Sequence, residues 1–121
     1  ARNEDIEVFV PKNRRVQLLS TKDLLRAIEI IINNQDISGT FNLSNKDSIE
    51  VKVLADKIVA LSDSHSKVIC TNDNLENYSE INSDKAKDIL NWIAKDSIDV
   101  IINNYAEFFY EKNSQAIEGA L

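Results

Sequence analysis

Two glycines, Gly39 and Gly119, are all that this chain of 121 residues contains. A loop that wraps a pyrophosphate between a strand and a helix needs three spaced glycines, because only glycine lets the backbone come that close to the phosphates. Gly39 and Gly119 stand 80 positions apart, so no such loop can be built. Dinucleotide binding by a self-contained Gly-rich βαβ unit is therefore excluded, and whatever fold forms must make its turns with Asn, Asp and Ser.

The length suits one domain, and 43% apolar residues suffice for a core. The formal net charge of −6 repels polyanions and argues against nucleic acid as a partner. The longest apolar run, Ala27 to Ile32, is broken by Glu29 and falls short of a bilayer span, so no membrane insertion is expected. No basic segment with a small-residue cleavage site opens the chain, so export is not expected either. Cys70 stands alone, which argues against a disulfide framework and fits a reducing cytoplasm and a small core side chain.

Hydrophobic periodicity predicts alternating strands and helices. Ile6, Val8 and Val10 alternate with Glu7 and Phe9 until Pro11, a short edge-type strand, and Val16 and Leu18 continue extended after the basic turn Lys12-Asn13-Arg14-Arg15. Ser20 with Asp23 three residues on opens a helix in the manner of a capping box, with Leu24, Leu25, Ala27, Ile28, Ile31 and Ile32 on one face. Gly39 introduces Thr40-Phe41-Asn42-Leu43 as a β-rich run. Val51 to Leu61 returns to helical spacing, with Glu50 where a better N-cap residue is expected. Val68 to Cys70 is a third strand candidate for which helix or loop stays open, and Asn72 to Ser79 reads as a polar loop. A helix from Asn82 or Ser83 to Leu90 is expected to end through Asn91 in a left-handed conformation, with Ala86, Ile89, Leu90 and Trp92 facing inward. Asp96 or Ser97 opens a last helix, taken as a core helix through Ile98, Ile101, Ile102, Tyr105, Phe108 and Phe109. The expected fold class is α/β, in an α+β-like small domain of short strands and about four helices. Residues 1–112 form its body, and 113–121 are expected to be mobile unless a partner orders them.

Few residues point to chemistry. One His and one Cys, His65 and Cys70, do not make a metal site. Ser62-Asp63-Ser64-His65-Ser66 are neighbours on a polar turn, whereas a nucleophile and its base come from distant segments. Asp73, Asp84 and Asp88 have no apolar surroundings that would raise a carboxyl pKa, and read as solvated or capping groups. The basic island Lys12 to Arg15 reads either as a solvated turn or as a contact for a phosphate-bearing ligand.

Three segments carry a resemblance. Arg15-Val16-Gln17-Leu18-Leu19-Ser20-Thr21-Lys22-Asp23-Leu24 is similar to an Arg-bearing strand followed by a helix-opening Asp, with Ser20 at a usual His or Tyr. Gly39-Thr40-Phe41-Asn42-Leu43 looks like a "Gly, x, aromatic, Asn, hydrophobic" strand, and Lys85-Ala86-Lys87-Asp88-Ile89-Leu90-Asn91-Trp92 looks like "Lys-Ala-x-x-x-Leu-Gly-Trp" with Asn91 for Gly. In this order, the three resemble the C-terminal substrate-binding region of the NAD-dependent sugar-nucleotide epimerases and dehydratases, the extended short-chain dehydrogenase/reductases, over about Asp5 to Phe109.

The resemblance implies a lobe without its Rossmann half. The family's Tyr-x-x-x-Lys pair is absent: Tyr78, Tyr105 and Tyr110 are followed at that spacing by Asn82, Phe109 and Ser114. The lobe would position a nucleotide sugar and be inert alone, holding no cofactor itself while its parent enzyme holds NAD(P). Its implied partners are the nucleotide sugar, the N-terminal Rossmann domain, and a homodimer through the apolar faces of the Leu24 to Ile32 or Ile98 to Phe109 helices. The family's nucleotide-binding Arg aligns with Val16, which passes the role to Arg15 or Arg14, with Gln17 beside them. A second family Arg and an Asp align with Asn72 and Leu75, which leaves Asp73 as the displaced acidic group. The implied substrate-binding residues are thus Arg14, Arg15, Gln17 and Asp73. The different class weighed against this is a free-standing protein-interaction module that kept the packing and lost the ligand site.

Overall fold

A computed structural model describes residues 3–120, with side chains through Asn113. The chain runs β1 (Ile6–Val8), β2 (Arg15–Val16), α1 (Thr21–Ile32), β3 (Ile49–Glu50), α2 (Val51–Leu61), β4 (Val68–Cys70), α3 (Asp84–Leu90) and α4 (Ile98–Ala120). The described residues form an α/β arrangement with four helices and two two-stranded sheets. β1 pairs parallel with β4, Ile6 opposite Val68, and β2 pairs antiparallel with β3, Arg15 opposite Glu50. The parallel pair obliges the intervening chain to cross over, and α1 and α2 lie in that crossover.

The helix ends follow local chemistry. The Ser20 hydroxyl accepts from Asp23 N at 3.0 Å and caps α1, whereas Glu50 opens α2 with no side-chain bond. α3 ends through Asn91 at φ 51°, ψ 38°, the left-handed cap that Asn tolerates, and the Asn91 and Trp92 N–H groups both turn back to Ala86 O, the latter at 3.3 Å. That reversal drops Trp92 into the core, 1% exposed, beside Ala27, Ala86 and Leu90. Leu19, Ile30, Ile31, Ile37, Phe41, Leu43 and Ala94 pack around this cluster. Ser97 Oγ accepts from Val100 N at the start of α4.

Several expectations are corrected. Thr40 to Leu43 forms no strand, since strand composition does not by itself make a ladder and these residues belong to neither sheet. Val10 lies outside β1. On α1 the core side is Asp23, Ala27, Ile30 and Ile31, while Leu24, Leu25, Ile28 and Ile32 are exposed. The apolar arc of this helix is wider than one neighbour can cover. Ile89 faces solvent, 53% exposed, while Ala86 and Leu90 are the residues that α3 buries in the core. α4 is a boundary helix: Ile102 is buried, but Tyr105, Phe108 and Phe109 are exposed. Its backbone remains helical past Asn113 to Ala120, and the packing of the tail from Ser114 on lies outside the described side chains.

Candidate functional site

The basic turn between β1 and β2 is laced to the loop after β4. Lys12 N donates to Asn72 O (3.1 Å), Asn13 Nδ2 to Glu76 O (2.8 Å), and Glu76 N to Asn13 Oδ1 (3.0 Å). Arg14 completes the lacing with a two-pronged grip on the Glu76 carboxylate, Nε to Oε1 and Nη2 to Oε2, the latter at 2.7 Å. The bond to Arg14 holds the Glu76 carboxyl below its ordinary 4.5, and the reciprocal bond raises the guanidinium. Arg15 turns to the other side, Nε to Ser48 Oγ (2.8 Å) and Nη1 to Glu50 (3.6 Å). Asp73 stands exposed in the laced loop. Arg14 and Asp73 are therefore brought into one region by the loop, whereas Arg15 sits over the β2–β3 ladder.

Gln17 is the best connected of the four sequence-derived residues. Its Oε1 accepts from Tyr78 OH (3.0 Å) and Ile81 N (2.7 Å), and its Nε2 donates to Asn45 O (2.7 Å) and Ile81 O (3.3 Å). One side chain, just past the end of β2, thus ties two loops together. It also forms a wall of a polar cleft of about 570 Å³, with Ser44, Lys46, Asn82, Lys87 and Trp92. Ser44 is held in place by its N–H to Ser83 Oγ (2.9 Å) and its hydroxyl to Ile81 O (2.9 Å).

Behind this cleft lies a group whose role the sequence hides. Asp23, 2% exposed, accepts with Oδ2 from the backbone N–H groups of Lys95 and Asp96 (both 3.0 Å) and with Oδ1 from Arg26 Nη2 (2.6 Å). Its carbonyl takes the Trp92 indole N–H at 2.9 Å, and the Arg26 guanidinium lies 5.8 Å from the Trp92 ring centre. Burial alone would push the Asp23 carboxyl up. The backbone N–H of Asp96, the Arg26 guanidinium, the Lys95 N–H and the Ser20 hydroxyl together outweigh burial and hold it below the ordinary 3.8. Helix-capping spacing identified Asp23 as a first-turn residue; only the tertiary path of residues 92–96 reveals it as the hub.

A second cleft, about 430 Å³, is almost wholly apolar and lies between α2 and α4, lined by Leu18, Leu54, Ile58, Ile102, Tyr105 and Phe109 among others. It offers shape without a group that could move a proton. His65 is exposed and Cys70 half-buried, and among the described residues no cluster of His, Cys, Asp or Glu could hold a metal ion. No helix of the described residues is long and apolar enough to cross a membrane. The cleft presents hydroxyl, amide, ammonium and carboxylate groups, and the laced turn presents the Arg14 guanidinium and the exposed Asp73.

No protein-family model matches the chain, and no curated protein does. Solved structures do. The UDP-glucose 4-epimerase of Thermotoga maritima, solved with UDP-glucose, aligns over 92% of this chain and 36% of its own at TM-score 0.73 and 18% identity. The dTDP-glucose 4,6-dehydratase of Bacillus anthracis, solved with NAD, aligns over 93% and 36% at 0.72 and 15%. The UDP-N-acetylglucosamine 4-epimerase of Bacillus cereus aligns over 88% and 38% at 0.71 and 17%. The chain spans little more than a third of these enzymes, and over that third it shares their fold.

Proposed function

We propose that this chain is the C-terminal substrate-binding region of an NAD-dependent sugar-nucleotide epimerase or dehydratase, and that it positions a nucleotide sugar without itself making or breaking a bond. The observation that carries the reading is the fold shared over nearly the whole chain with a third of two epimerases and a dehydratase. The absence of a glycine-rich loop and of a Tyr-x-x-x-Lys pair assigns hydride transfer to a cofactor domain outside these residues. What remains is orientation and exclusion of water.

In this reading Arg14, Arg15, Gln17 and Asp73 meet the ligand. The side chains of Arg14 and Arg15 are 40% and 37% exposed and rest on the carboxylates of Glu76 and Glu50. The single, long Arg15–Glu50 contact is an exposed pair of the kind that contributes roughly 0 to 1 kcal/mol, so a pyrophosphate can take the Arg15 guanidinium at little cost, whereas Arg14 would have to exchange its two-pronged bond to Glu76 for an equally two-pronged one to phosphate. Gln17 fixes the wall of the adjoining cleft. The test is a nuclear magnetic resonance titration of the isotope-labelled chain with UDP-glucose, dTDP-glucose and NAD. Side-chain Nε signals of Arg14 and Arg15 and the Gln17 amide should shift with the sugar nucleotides, and those of Arg15 and Gln17 should respond less on Arg14→Ala; NAD, which shares the pyrophosphate but not the sugar, should shift the arginines without moving the Gln17 amide. Silence at these residues with both sugar nucleotides at millimolar concentration would overturn the assignment.

A further inference from the structure

Glu76 is held twice, by its main chain and by its side chain, and the two holds are separable. Its N–H donates to Asn13 Oδ1 (3.0 Å) and its carbonyl accepts from Asn13 Nδ2 (2.8 Å), while Lys12 N reaches Asn72 O (3.1 Å). The loop after β4 is thus fastened to the basic turn through backbone atoms that any residue at position 76 other than proline would supply. The carboxylate is spare to that fastening. Among the described residues its oxygens bond Arg14 and no other group, Oε1 on Nε and Oε2 on Nη2. Two parallel N–H bonds to two oxygens of one anion are also the way a guanidinium holds a phosphate. The pair lies open to solvent, with the Glu76 side chain 25% and the Arg14 side chain 40% exposed, so a dissolved anion can reach the same edge.

We propose that the Glu76 carboxylate is a tethered stand-in for a ligand phosphate: it fills the two-pronged edge of Arg14 in the free chain, gives way to the pyrophosphate of a nucleotide sugar, and so sets how tightly that ligand is held. The inference rests on the assignment of Arg14 to the ligand and deepens it. The Asn13 bonds keep the carboxylate within reach of Arg14, so it competes at an effective concentration on the order of millimolar. Its charge also opposes an arriving pyrophosphate until it swings away. Arg15 has no such rival: Glu50 touches it through one long contact of 3.6 Å, and its other bonds go to Ser48. Glu76 therefore governs the arginine whose release costs more.

Glu76→Gln removes the charge and keeps both the side-chain length and the backbone bonds to Asn13. Parent and variant are titrated with inorganic pyrophosphate and with UDP-glucose at one fixed ionic strength, and followed through the Arg14 and Arg15 Nε signals. The variant should bind both at least about tenfold more tightly, a difference of about 1.4 kcal/mol, with Trp92 fluorescence unchanged. Uridine, which carries no phosphate, should bind the two chains alike, and adding Arg14→Ala to Glu76→Gln should erase the gain. Equal or weaker pyrophosphate binding by the variant, a gain shared by uridine, or a gain that survives Arg14→Ala overturns the proposal. If UDP-glucose moves the Gln17 amide at the same concentrations in both chains, the substrate reading stands and the stand-in role of Glu76 falls. If Glu76→Gln gains pyrophosphate but neither chain answers to UDP-glucose, Glu76 keeps its role as a rival for phosphate and the sugar-nucleotide reading falls.

Discussion

Removing the Asp23 carboxylate strips three groups of their acceptor at once, the N–H of Lys95, the N–H of Asp96 and the Arg26 guanidinium, and takes the favourable charge from the first turn of α1. Each backbone donor left unpaired costs about 1 kcal/mol at this partly covered position, and the first-turn charge contributes about 0.5 kcal/mol. Arg26 keeps its bond to Ile93 O (2.7 Å), so its loss is partial, and relief of carboxylate desolvation offsets some of the total. Asp23→Ala should then cost about 3 kcal/mol. With a urea dependence of about 1.5 kcal/mol per molar, the unfolding midpoint falls by about 2 M. Asp23→Asn retains one carbonyl acceptor and should cost roughly half as much. The sign with pH follows from the depressed folded-state value: the contribution is complete above the ordinary 3.8 and is lost as pH falls through the folded pKa. The gap between the parent chain and Asp23→Asn, read by the fluorescence of the single Trp92, should therefore be open at pH 7 and narrow as acidification proceeds below the ordinary 3.8. An Asp23→Ala midpoint within about 0.5 M of the parent, or a gap that ignores pH, would refute the hub.

Trp92→Ala should cost about 3 to 5 kcal/mol in the same denaturation assay, and a loss below about 1 kcal/mol would place the indole at the periphery. Gly39 sits at φ 107°, and a Cβ there would meet Lys85 Nζ at 3.4 Å, so Gly39→Ala should cost about 1 to 3 kcal/mol, mostly as backbone strain; calorimetry showing no loss of melting temperature counts against it. Asn91→Gly, at φ 51°, should raise the melting temperature slightly, and Asn91→Ala should lower it by the equivalent of about 1 kcal/mol.

Features set by neighbours in sequence were legible. Ser20 and Asp23 open α1, Glu50 opens α2 without a bond, and Asn91 turns left-handed before Trp92, each a matter of a few consecutive residues. What depended on a distant partner was not. Periodicity puts Ala27 and Ile28 on one arc, but only the position of α3 decides that Ala27 is covered and Ile28 is not. Phe41 to Leu43 has strand composition, and composition cannot supply a second strand. At the candidate site, the basic turn was visible, but the carboxylate of Glu76 that occupies Arg14 lies 62 residues away, and the bonds that make Gln17 a strut come from loops with no pattern of their own.

The pairing of β1 with β4 also sets an order of assembly. The same register offset of 62 positions separates Asp5 from Lys67 and Ile6 from Val68, so the first strand can find its place only after about half the chain has been gathered in. Closing a loop of that size costs about 4 kcal/mol in chain entropy, more than a three-residue ladder returns. The N-terminal strand is accordingly the last piece to dock and the first to leave: amides of Ile6–Val8 should exchange through local opening well before those of α3, and equal protection of the two would show that β1 belongs to the folding nucleus.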